Sequence, residues 1–152
     1  MKSVTIATVA AALAAAVIVP LAGSASATPT GHPYIAEIYY NSPGSDHRSA
    51  ASLDAEWVKI VNPTGHAISL TGWTVKDRQN HTYHFGTYTL KAHASVKLHT
   101  GKGKNTAANR YWGSGNYIWN NNTDAATLRN THSAKVDSLS YNSTRVAYVK
   151  HR

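Results

Sequence analysis

Cations and aromatic rings crowd one stretch of this chain: His99-Thr100-Gly101-Lys102-Gly103-Lys104-Asn105-Thr106, then Arg110-Tyr111-Trp112. Gly101 and Gly103 free the backbone for close approach, and Lys102, Lys104 and Arg110 place three cations within nine residues. Tyr111 and Trp112 follow at once, so charge and a stacking surface stand side by side. That pairing suits a phosphate- or sugar-containing polymer, through salt-dependent attraction and sequence-tolerant stacking. The G-x-x-x-x-G-K-[ST] spacing of a nucleotide-binding loop is absent. The same residues also suit a solvated loop whose glycines only make turns and whose Trp112 is core.

A second stretch sets Asn116, Asn120, Asn121 and Asn122 around Tyr117 and Trp119. Ring faces flanked by amide donors suit a sugar, which offers apolar faces and many hydroxyls. Asn also builds turns through bonds to its own backbone, and that reading is the stronger one for Trp119-Asn120-Asn121. Metal chemistry has little support. The nine histidines are scattered, and His81 and His84, three apart, point to opposite faces of a strand. Asp77, Asp124 and Asp137 could meet at one end of a sandwich around Ca²⁺, but no loop spacing calls for it. Asp77-Arg78-x-x-His81 is a loose echo of a metal-dependent nuclease with a histidine base, without the following helix such sites use. Cysteine is absent, and so is a G-x-S-x-G elbow. No catalytic residue, metal or cofactor is expected.

The elements that must hold these residues read as strands. Tyr34–Tyr40 is rich in β-branched and aromatic residues. Trp57–Val61 alternates, with Val58 and Ile60 facing one way and Trp57, Lys59 and Val61 the other. Asn62-Pro63-Thr64-Gly65 ends it with a turn. Ile68, Leu70, Trp73 and Val75 predict a strand pair or a strand bent at Gly72. Tyr83 and Phe85 alternate inward within His81–Phe85. Thr89-Leu90, Val96–Leu98, Tyr117–Trp119, Ala126–Arg129, Val136–Leu139 and Arg145–Val149 complete the series. Asn41–Asp54 reads as a long loop, and no segment after the leader sustains a 3.6-residue period. Many short strands about ten residues apart predict an all-β antiparallel β-sandwich.

The first 27 residues stand apart from that pattern. Lys2 precedes a nearly continuous apolar run, and Ala25-Ser26-Ala27 has the form of a cleavage site. This predicts a signal peptide over 1–27, a flexible lead-in over 28–33 and a sandwich domain over 34–152, secreted and able to remain associated with the cell surface. Without Lys2 the charge is 14 Lys and Arg against 7 Asp and Glu, a net +7. Outside a cell such a balance favours an anionic cell-wall polymer, nucleic acid or an acidic protein surface, and it also serves solubility alone. With no cysteines, stability must come from packing, for which 14 aromatics are available.

These phrases together resemble the lamin-tail domain, the immunoglobulin-like module at the end of nuclear lamins that also occurs in bacterial exported proteins. The resemblance rests on Glu56-Trp57-Val58 with Asn62, Leu70-x-Gly72-Trp73-x-Val75-x-Asp77, and Phe85. It continues through His99-Thr100-Gly101-x-Gly103-x-Asn105-Thr106, Tyr111-Trp112-Gly113, Trp119-Asn120-Asn121 with Asp124, and Asp137-Ser138 before Tyr141. It implies a β-sandwich scaffolded by Trp57, Asn62, Gly72, Trp73, Trp119, Asn120, Asn121 and Asp137. It implies no catalytic set; in lamins the module docks other proteins and nucleic acid. The expected function is a binding or docking module, with Lys102, Lys104, Arg110, Tyr111, Trp112, Asn116 and Tyr117 as candidate ligand-binding residues. A self-assembling surface protein and a metal-dependent nuclease are the alternatives. Oligomeric state is open.

Overall fold

The structure, a computed structural model, describes residues 31–43, 47–142 and 148–151. The leader over 1–27 and most of the lead-in lie outside these residues. Among the described residues, eleven strands and one short helix follow in chain order. They are β1 (Tyr34–Tyr39), α1 (Ala50–Asp54), β2 (Trp57–Val61), β3 (Ile68–Ser69), β4 (Thr74–Lys76) and β5 (Thr82–His84). Next come β6 (Thr89–Leu90), β7 (Ser95–His99), β8 (Asn109–Tyr111), β9 (Thr123–Arg129), β10 (Lys135–Asn142) and β11 (Tyr148–Lys150). One sheet has the order β11-β1-β2-β7-β8, the other β10-β9-β4-β5, and β3 pairs with β6 in a small ribbon.

The period-two pattern determines what each strand buries. In β2, Val58 and Ile60 are fully buried while Trp57, Lys59 and Val61 are not; β7 likewise buries Val96 and Leu98. With Ile35 and Ile38 of β1 these side chains meet Val75, Ala126 and Leu128 from the other sheet, and Phe85 just after β5, in one core. The result is the all-β sandwich that the pattern predicts, of the immunoglobulin-like kind that the resemblance implies. Its pairs are antiparallel except that β8 runs parallel to β7.

Several local expectations change. Residues 117–119 form no strand: Ile118 and Trp119 donate their N–H groups to the buried Glu56 carboxylate at 3.0 and 3.2 Å. Side-chain acceptance replaces a sheet ladder there, and sequence alternation cannot separate the two. The loop after Asn41 contains α1, one turn capped by Ser49, whose Oγ accepts from the Ser52 N–H at 3.1 Å. One turn is too short to give a helical period. Trp57, read from the motif as scaffold, does not lie between the sheets. It sits on the outer face of the five-stranded sheet, stacked on Tyr39 at 5.6 Å with the Lys97 ammonium 3.9 Å above its ring.

Candidate cationic binding site

The segment after β7 folds back so that residues 109–111 run beside 97–99, in register Lys97↔Asn109, Leu98↔Arg110 and His99↔Tyr111. Trp112, Gly113 and Ser114 extend this contact by donating to the carbonyls of His99, Gly101 and Thr100 at 2.8, 2.8 and 3.0 Å. Gly101 is buried here, and a Cβ on it would overlap Asp54 Oδ1. Only glycine passes this point.

Strand alternation divides the sequence-predicted residues between faces. The Arg110 guanidinium lies 4.1 Å over the Tyr88 ring, and the Tyr88 hydroxyl donates to the Ala107 carbonyl at 2.7 Å. Burial raises the Tyr88 phenol pKa above its ordinary value, with Arg110 opposing. Tyr111 stacks on His99 at 5.0 Å, and the Gly103 backbone crosses its ring so closely that a Cβ would collide with it. Trp112 packs against the core, 5.8 Å from Tyr83 and 6.0 Å from Trp119. The rings beside the cations are therefore occupied by protein rather than open for stacking.

Lys102 and Lys104 remain exposed. Lys102 lines a cleft of about 200 Å³ together with Arg48, Ala50, Leu53, Ser114 and Gly115. Arg48 holds a left-handed backbone, φ 53°, and its N–H donates to the Tyr117 hydroxyl at 3.3 Å. That hydroxyl also shares a 2.7 Å hydrogen bond with Ser52 Oγ, so Tyr117 braces the loop that carries Arg48. Asn116 is exposed, its N–H donating to Ser114 Oγ at 3.0 Å. Arg48 carried no signal in the sequence. It lies in a polar loop far from Lys102 along the chain, and only folding makes them neighbours. Two cations around a small cleft can hold an anionic group by charge and hydrogen bonding.

With fold and cleft defined, comparison with known families is decisive: residues 26–143 match the Lamin Tail Domain. The chain belongs to this family. No curated protein matches it closely enough to add a name or an activity.

The remaining motif positions of this lamin-tail domain occupy polar knots. Asn62 is fully buried; its amide donates to the carbonyls of His66, Leu90 and Lys91 at 2.8, 3.2 and 3.0 Å. Its Oδ1 accepts from the Thr64 N–H and hydroxyl at 3.1 and 2.7 Å. Gly72 takes φ 77° in the turn before Trp73, which packs on the core. Trp119 is 2 % exposed, and Asn120 donates through backbone and side chain to Asp124 Oδ2 at 3.2 and 3.1 Å. Asn121 lies half-buried in the same turn.

The three aspartates do not converge. The Gln79 amide lies between Asp77 and Asp124, and with its nitrogen turned toward the carboxylates it donates to both at 3.0 and 3.1 Å. Asp137 lies elsewhere, accepting from the Ile35 N–H at 2.7 Å where the β1 register shifts. His81 does reach Asp77, Nδ1 to Oδ2 at 2.6 Å. Among the described residues no three His, Asp or Glu side chains are grouped to hold a metal ion.

Proposed function

We propose that this lamin-tail domain is an exported, non-enzymatic binding module that takes an anionic cell-wall polymer or nucleic acid at its basic loop. The observation carrying this reading is the cleft in which Arg48 and Lys102 come together beside the exposed Lys104. The net charge of +7 without the leader, 14 Lys and Arg against 7 Asp and Glu, adds long-range attraction for a polyanion. Export is supported by the leader-like sequence over 1–27, and no helix among the described residues is long and apolar enough to cross a membrane.

The revised site keeps Lys102 and Lys104, adds Arg48 and assigns Arg110, Tyr111 and Trp112 to packing. Its test is retention on isolated cell wall and on DNA across a salt series. Arg48→Ala with Lys102→Ala should lower retention about tenfold, as expected for two lost phosphate contacts. Unchanged retention would sink the cleft. Salt-tolerant association with a protein or with itself would instead favour docking or self-assembly.

The Asp77–His81 contact supports a second reading, as a nuclease, because a buried carboxylate orients an imidazole that is half exposed. Cleavage of plasmid DNA with added divalent metal, abolished in His81→Ala, is the result that reading needs.

A further inference from the structure

The outer face of the five-stranded sheet carries two aligned rows. Strand register places Tyr148, Tyr39, Trp57, His99 and Tyr111 side by side across β11, β1, β2, β7 and β8. The adjacent row is Lys150, Glu37, Lys59, Lys97 and Asn109. Glu37, the one acid in it, pairs with Lys150 at 3.6 Å. Lys59 and Lys97 stand directly opposite each other, an unfavourable juxtaposition that an anion between them would relieve.

The aromatic row offers no open stacking platform, because its rings face one another or other protein groups. Tyr39 lies between Tyr148 at 6.0 Å and Trp57 at 5.6 Å. The outer ring faces of that stack are capped by Lys150, 5.1 Å from Tyr148, and Lys97, 3.9 Å from Trp57. His99 and Tyr111 cover each other, and Gly103 covers Tyr111. A ligand therefore meets mainly ring edges and ammonium groups, and Tyr148 at the β11 end, 44 % exposed, is the most accessible ring. The row also ends at Gly103, between Lys102 and Lys104, so it leads into the basic loop.

We infer that this face is the track of an extended, flexible phosphodiester polymer without bases, lying across the strands from β11 to the basic loop. The inference rests on the polyanion reading above and extends it from one cleft to a whole sheet face. Charge complementarity selects a polyanion. Rings mostly covered by one another and by protein groups reduce the advantage of a base, and a twisted sheet face about 19 Å across suits a chain that can conform to it better than a stiff duplex.

The test compares binding of a synthetic poly(glycerol phosphate) with single-stranded oligothymidylate and duplex DNA of equal phosphate number. The polyol should bind at least as well as the oligothymidylate. In Lys59→Gln/Lys97→Gln its affinity should fall about tenfold and the salt slope by about two contacts. Lys59→Gln alone leaves the Trp57–Lys97 contact in place and should cost one contact, so the test stands even if the double variant unfolds. Wild-type affinity in folded Lys59→Gln overturns the track, and a loss confined to Arg48→Ala/Lys102→Ala then leaves the cleft standing alone. Tighter oligothymidylate binding that quenches tryptophan, or a preference for duplex, overturns the choice of polymer.

Discussion

Glu56 is 1 % exposed and accepts hydrogen bonds from the Thr100 hydroxyl and from the N–H groups of Ile118 and Trp119. Glu56→Ala would strand those buried donors at about 1–3 kcal/mol each, so a loss of about 3 kcal/mol or more is expected in urea unfolding. A cost below about 1 kcal/mol would show that Glu56 does not organise the segment. Tyr141 stacks on Tyr40 at 3.7 Å and donates to the Asn120 carbonyl at 2.6 Å. Burial first, then Asp124, Glu56 and Tyr40, holds its phenol pKa far above the ordinary value. Burial also raises the pKa of Tyr40, Tyr83 and Tyr88. The unfolded chain then releases protons near pH 10 that the folded chain keeps, so stability declines as pH rises from about 10 upward. Tyr141→Phe should flatten that decline, measured by denaturation at several alkaline pH values, while costing about 1 kcal/mol at neutral pH. At this scale the sequence was an incomplete guide. Lys102 and Lys104 read correctly as exposed cations on a glycine loop, but Arg48 had no local cue. The occupation of Tyr111 by His99 and Gly103 depends on a parallel pairing that no local pattern reveals.

Strands with clean alternation were legible: β2 has the limits its period predicts, and β1 and β7 differ from theirs by one residue at each affected end. Short elements held by side chains were not, as α1, β8 and the 117–119 segment show. Glycine placement governs the basic loop. Gly103→Ala should force Tyr111 off His99 or displace Lys102 and Lys104, with altered Tyr111 ring resonances by NMR and a stability loss of about 1–3 kcal/mol. Undisturbed rings would mean that the loop does not depend on that approach. At the other end of the sheet, β11 pairs with Glu37, Ile38 and Tyr39 and covers the edge of β1. Deleting residues 148–152 should open that edge and produce concentration-dependent association in size-exclusion chromatography. A monomeric, equally stable product would show β11 to be dispensable.

The sandwich places its aliphatic residues between two sheets, a row of aromatic rings on the outer face of one of them, and most of its lysines on loops and outer faces. Fold class followed from strand periodicity and turn residues because those are local properties repeated along the chain. The binding surface was only partly legible because it is assembled across strands: the Lys59–Lys97 pair and the aromatic row exist only once register is set. A domain with 14 Lys and Arg against 7 Asp and Glu, a net +7, and a cationic cleft at the end of a cationic track should bind polyanions with an affinity dominated by counterion release. The most direct measurement is the salt dependence of binding to poly(glycerol phosphate) for the wild type and for Lys59→Gln/Lys97→Gln/Lys102→Gln. Affinity should fall steeply with salt in the wild type, with the slope reduced by about three contacts in the triple variant while its melting transition persists. A folded triple variant with the wild-type slope, or a wild type that does not bind, would contradict the account.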